Sequence, residues 1–177
     1  MTRAGRPLSV VVEHAVYTET LRLLADESGT ALHRQSIADG AQVSRQTLYN
    51  RWPTVGDIVL DALSDRAARS IDSSGTLRAY LVDLAAAIDG WARPGLRWVL
   101  AAAQHDTNFA ERFRSTFLGM RHTAMHTAVT SELSDREAAR RTADLIAASL
   151  WYNVAIVDRP LDAAWIDEMC GLVEATS

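Results

Sequence analysis

The sequence predicts an all-α protein, built as one globular unit or two small packed ones. Three observations carry this. The apolar residues, 48% of the chain, are mostly Ala, Leu and Val, and aromatic residues are few at 7%, a mixture that favours helices over sheets. Apolar positions recur at helical spacing, and no apolar–polar alternation is long enough to read as a strand. Capping residues and helix breakers divide the chain into segments of helix length.

Residues 1–8 form a basic arm ending at Arg6-Pro7, too short to fold alone. Ser9 caps a helix to about Glu27, with Val12, Val16, Leu23 and Leu24 near helical spacing. Ser28-Gly29 stops it. A short helix runs from about Arg34 to Ala41, and a tight turn follows through Gln42 and Val43. Ser44 caps the next helix, which ends at Trp52-Pro53 because the residue before a proline resists the helical region. Thr54 and Asp57 form a capping box that opens a helix to about Ser70. Asp72-Ser73-Ser74-Gly75 is the best linker candidate. Further helices are expected at about 76–91, 95–105, 107–131, 135–157 and 162–175. Pro94 and Gly95 separate the first two, and Asp106 or Thr107 caps the third. Ser134 with Glu137 makes a capping box for the fourth, Arg159-Pro160 ends it, and Asp162 caps the last.

Composition excludes several classes. No apolar run approaches the roughly 20 residues that a spanning helix needs, and no secretory signal opens the chain, so a cytoplasmic protein is expected. The single cysteine, Cys170, rules out an internal disulfide framework. No Gly-rich phosphate loop, Gly-x-Ser-x-Gly or His-Glu-x-x-His is present, so neither catalysis nor a cofactor is expected. All 18 basic residues are arginine and the net charge is −4. The whole molecule is therefore no general polyanion binder, and contact with nucleic acid must come from a local basic face. One exists: between Arg34 and Trp52, Arg34, Arg45 and Arg51 stand against the single acid Asp39, with Arg3 and Arg6 upstream.

Within that stretch two short helices share an inner face of Ile37, Ala38, Ala41, Val43 and Leu48. The second exposes Arg45, Gln46, Thr47, Tyr49, Asn50 and Arg51. Arg, Gln and Asn make bidentate contacts to guanine and adenine edges in the major groove. This is the logic of a helix-turn-helix, in which one helix crosses the DNA backbone and the second enters the groove.

The stretch resembles the signature of the TetR/AcrR-type transcriptional regulators, Ile-Ala-x-x-Ala-Gly-Val-Ser-x-x-Thr-Leu-Tyr-x-x-Phe/Trp-Pro. Ile37, Ala38, Ala41, Val43, Ser44, Thr47, Leu48, Tyr49, Trp52 and Pro53 match it. The run from Asp144 through Trp151-Tyr152 to Leu172 also looks like the last two helices of that family's regulatory domain. The resemblance implies an N-terminal three-helix helix-turn-helix domain and a C-terminal helical ligand-binding and dimerisation domain. Residues 1–53 would bind DNA, 54–74 would connect, and 75–177 would hold ligand pocket and dimer surface. It further implies a homodimer on a double-stranded DNA operator, most simply a repressor released by a small, mostly apolar effector.

Carried over residue by residue, Ser44 and Thr47 would bond phosphates and Tyr49 would lie against one. Arg45, Gln46 and Asn50 would read bases, His33 would cap its helix and touch phosphate, Arg34 would either loosen the second helix or add a phosphate contact, and Arg6 would follow the backbone or enter the minor groove. Three departures stand out: Gln42 replaces the turn glycine, Val55 replaces a lysine after the Pro-Ser pair, and Arg34 replaces an apolar residue. The pocket candidates are Trp98, Phe113, Phe117, Met120 and Trp151, which serve equally well as core fillers. Leu150, Val154, Trp165, Ile166, Met169 and Leu172 are the expected dimer surface, though one protomer can bury such a stripe internally. His122 and His126 stand four apart, as two metal ligands on one helix face do, but a pair alone assigns no metal. A ligand-independent DNA-binding regulator, and a helical metal- or small-molecule-binding protein, fit the same sequence.

Overall fold

A computed structural model describes residues 10–26, 32–72 and 75–175, and all its regular elements are helical. Arg6, Ser9, Ser28-Gly29 and Ser73-Ser74 lie outside the described residues. The chain divides into two compact units, Met1–Asp65 and Arg66–Ser177.

The first unit holds α1 (Val10–Ala25), α2 (Arg34–Gly40), α3 (Arg45–Arg51) and most of α4 (Val55–Ser70). Its core joins Val16 and Leu23 of α1, Ile37 and Ala38 of α2, Leu48 of α3, Trp52 and Ile58. Tyr17 meets the Trp52 ring edge-on at 5.9 Å, and the Trp52 indole N–H donates to Asp61 Oδ2 at 2.8 Å. The largest ring of the unit is thereby buried with its one donor satisfied. Gly40 is where α1 and α2 approach closely, since the Glu19 side chain occupies the space that a Cβ would fill.

The second unit holds α5 (Leu77–Ala87), α6 (Arg93–His105), α7 (Thr107–Arg112), α8 (Gly119–Thr130), α9 (Arg136–Trp151) and α10 (Ala163–Glu174). Helix α8 lies against α5 and α9, and α10 against α5 and α9. Three π-helical turns interrupt these helices, at Ile88–Ala92, Phe113–Leu118 and Tyr152–Ile156.

Several expected boundaries shift. Pro94 and Gly95 do not separate two helices. The chain stays helical through the Ile88–Ala92 turn into α6, with Pro94 directly after that turn. The Arg93 N–H bonds back five residues to the Ile88 carbonyl, the wider step of a π turn, just before the proline. The cap of α9 is Asp135 rather than Ser134, its carboxylate accepting from the N–H groups of Glu137 and Ala138 at 2.9 and 3.2 Å. The helical run from α9 stops at Ile156, and Asp158 takes the left-handed conformation (φ 50°) before Pro160 is reached.

Candidate nucleic-acid interface

The turn between α2 and α3 is fixed by backbone bonds. The Val43 N–H donates to Ala38 O at 2.9 Å and the Gln42 N–H to Asp39 O at 3.3 Å, the paired bonds of a Schellman ending. That ending demands a left-handed residue, and Gln42 sits there with φ 56°. A non-glycine side chain in that region costs about 1–2 kcal/mol. Val43 packs onto the core beside Ile37 and Ala38, the apolar contact that accompanies the motif.

Helix α3 is then held at both ends. At its start the Ser44 hydroxyl accepts from the Thr47 N–H at 3.0 Å and lies 2.8 Å from the Thr47 hydroxyl. At its end Arg34, from the first turn of α2, donates from Nη1 to the Trp52 carbonyl at 2.8 Å and from Nη2 to the Pro53 carbonyl at 2.9 Å. The same guanidinium lies 4.1 Å from the Tyr49 ring centroid. Thr54 and Asp57 then start α4 reciprocally: the Thr54 N–H donates to Asp57 Oδ2 at 2.8 Å, and the Asp57 N–H to Thr54 Oγ1 at 3.2 Å.

One face of this seven-residue helix is spent on the core through Leu48, while Arg45, Gln46, Tyr49, Asn50 and Arg51 are exposed and Thr47 is half-buried. Arg45 makes no hydrogen bond or ion pair among the described residues, which leaves its fork open. The Gln46 amide donates to Asn50 Oδ1 at 2.8 Å, so these two share one amide face. Arg51 leans instead toward Glu13 of α1 at 3.5 Å. His33 precedes α2 in extended conformation and is exposed, its N–H donating to Ser36 Oγ at 3.2 Å. Tyr17, behind Trp52, has its phenol pKa pushed up to about 12, chiefly by burial and then by the Asp61 and Glu13 carboxylates.

The sequence reading missed two parts of this site. One is the Arg34 clamp, which joins residues 18 and 19 positions apart; only the odd placement of an arginine at an apolar position hinted at it. The other is the Gln46–Asn50 pair, for which the i, i+4 spacing was the available signal.

In the second unit, Phe113 and Phe117 are buried and stacked at 5.8 Å, and Phe113 meets the half-buried Trp151 edge-on at 6.2 Å. Trp98 packs instead on Phe109 at 6.2 Å, and Met120 is half exposed. Of the residues expected at the dimer surface, Leu150, Val154, Trp165, Ile166 and Met169 are buried within the protomer, while Leu172 is partly buried. Trp165 also donates its indole N–H to Ser149 Oγ at 2.9 Å. Amphipathic spacing does not distinguish a stripe packed inside its own chain from one packed on a partner. The large apolar residues left open on this stretch are Leu145, Tyr152 and Ile156. Their spacings of seven and four put them near one face.

His122 Nε2 lies 2.9 Å from Asp144 Oδ1, and His126 Nδ1 lies 3.3 Å from Thr130 Oγ1. Among the described residues no group of three His, Cys, Asp or Glu side chains is placed to hold a metal ion. Burial pushes the Cys170 thiol pKa up, which disfavours the reactive thiolate.

Residues 70–173 match the family model described as the tetracyclin repressor-like C-terminal domain. A comparison with curated proteins gave no match. The matched span exceeds half of the 177 residues, and the helix-turn-helix stands in the unit before it. The chain belongs to the TetR family of transcriptional regulators.

Proposed function

We propose that this regulator is a homodimeric repressor whose α3 reads a DNA operator and whose second unit binds the releasing effector. The observation that carries the DNA reading is the free polar face of α3. Arg45, Gln46 and Asn50 project from a helix tied down by Ser44 at its start and Arg34 at its end. Arg45 would reach a guanine, and the Gln46–Asn50 pair would open to present amides to adenine. Thr47, Ser44, Tyr49, His33 and Arg6 would contact phosphate or sugar and set the register. Two such helices about one helical turn apart, roughly 34–36 Å, would read a near-palindromic site.

Under this reading residues 1–53 bind DNA, 54–74 connect, and 75–177 bind the effector and a second copy. A small, mostly apolar effector settles against Phe113, Phe117 and Trp151, with Trp98 and Met120 as outer candidates. It releases DNA by binding more tightly to the state whose recognition helices no longer fit the groove spacing. The second copy docks on the exposed face of Leu145, Tyr152 and Ile156, with Leu172 at its edge. The buried Leu150, Val154, Trp165, Ile166 and Met169 hold that face in shape.

The test is fluorescence anisotropy on the DNA just upstream of the protein's own gene, with excess unrelated duplex present. Tight binding by the wild type, lost in Arg45→Ala/Asn50→Ala, supports the reading. Equal binding by both proteins counts against base readout by α3. A companion variant, Leu145→Asp/Ile156→Asp, should sediment as a folded monomer; a persistent dimer would place the interface elsewhere.

A further inference from the structure

Arg121 of α8 is the unusual cation of the second unit. It is partly buried, its Nε is closed off from solvent, and among the described residues that Nε has no hydrogen-bond acceptor. Among the described residues its guanidinium forms no ion pair. Arg78, Arg93, Arg97, Arg140 and Arg141 each hold a carboxylate, while Arg114, Arg136 and Arg159 stand exposed to solvent. Among the described residues, then, no carboxylate pairs with the planar, cationic fork of Arg121.

Its surroundings are aromatic. The guanidinium carbon lies 6.0 Å from the Phe117 ring centroid, Phe117 stacks on Phe113, and Phe113 meets Trp151. The charge also acts on the buried Tyr80 phenol, opposing the rise in pKa that burial causes. The Phe113–Leu118 π turn carries both phenylalanines, and the Tyr152–Ile156 π turn begins just after Trp151. Such turns displace side chains from regular helical positions and recur at functional sites.

We propose that Arg121 anchors an anionic group of the effector, so that the ligand is an organic acid: an apolar body along Phe117, Phe113 and Trp151, with a carboxylate on the guanidinium. This rests on the reading that the second unit binds an effector. A planar fork suits a carboxylate better than a point charge does. An apolar molecule of the same shape without the acid would leave the donor unpaired, so the site selects acids over their neutral analogues.

The test uses two dyes with one ring skeleton, anilinonaphthalene sulfonate and the uncharged phenyl-naphthylamine. Each is titrated into the full-length wild type, Arg121→Gln and Arg121→Lys, reading dye emission and energy transfer from tryptophan. Circular dichroism melts confirm that the variants are folded. Both dyes should saturate on the wild type. Arg121→Gln should weaken the sulfonate dye about tenfold, the size of one charge-assisted bond, and leave the neutral dye nearly unchanged. Arg121→Lys, which keeps the charge, should recover part of the loss. Equal weakening of both dyes, or of neither, overturns the anchor while leaving the effector site standing. Failure of both dyes to saturate on the wild type removes the effector reading, and the anchor with it; saturation by the neutral dye alone overturns the anchor.

Discussion

Arg34→Ala should destabilise the N-terminal unit and change the protein's response to salt on DNA only slightly. Two bonds to main-chain carbonyls and one contact with the Tyr49 ring are lost. A hydrogen bond to a charged group contributes about 1.5–3 kcal/mol where it is sheltered. Only the bond to Trp52 is part-buried and the one to Pro53 is exposed, so the low end applies to the first and less to the second. A cation over an exposed ring adds about 0.5–1 kcal/mol. These contributions share one side chain and do not add fully, which leaves about 2 kcal/mol. In a unit of 60–100 residues that lowers the melting temperature by roughly 8–16 °C. Arg34→Lys should restore less than half, because an ammonium cannot fork across two carbonyls. Urea denaturation followed by circular dichroism measures the loss, and DNA titrations from low to high salt measure the slope. A guanidinium whose fork is held on its own carbonyls makes no direct phosphate contact, so the slope should change by well under one unit. A loss below about 0.5 kcal/mol together with a slope reduced by about one unit would refute the clamp and make Arg34 a phosphate contact.

Gln42→Gly should stabilise the same unit by about 0.5–1 kcal/mol, because relief of the left-handed strain outweighs the added chain entropy of glycine; a variant that melts lower than the wild type would contradict that balance. Asn50→Ala should weaken specific binding by about 1–3 kcal/mol and relax the preference at one base pair, measured on a panel of single-base operator variants. Equal weakening on every sequence would mean that Asn50 reads no base. Stability of the N-terminal unit should fall as pH rises from about 10 to about 12, since Tyr17 holds its proton more tightly folded than unfolded. That contribution is fully present below pH 10. A Tyr17→Phe variant should flatten the fall, and an unchanged profile would reassign it.

Much of the fold was legible because short-range chemistry sets it. Ser44, Thr54 with Asp57, Asp106 and Asp162 all cap the helices that their positions announced. The Ile37–Leu48 spacing marked the inner face that the core in fact uses. Gln42 stands where the resemblance has a turn glycine, and it does take the left-handed φ that a glycine there would ease. Other features had weaker signals. Ser134 and Asp135 are both good caps, and the choice between them depends on where the helix begins in three dimensions. The π turns leave no signature in hydrophobic spacing, since they add one residue to a helix without changing its composition. The Arg34 clamp and the unpaired Arg121 are long-range facts that depend on which helices meet. The stripe from Leu150 to Met169 was legible as apolar, but not as packed within the protomer.

The central claim is that α3 reads DNA sequence as one half of a symmetric pair. The most direct test is selection of binding sites by the full-length protein from a randomised duplex library, with Arg45→Ala/Asn50→Ala run in parallel. The wild-type pool should converge on a near-palindromic consensus whose half-sites lie one helical turn apart, absent from the double variant's pool. A pool from the wild type that is no more enriched than the double variant's, or a consensus that survives both substitutions, would contradict it.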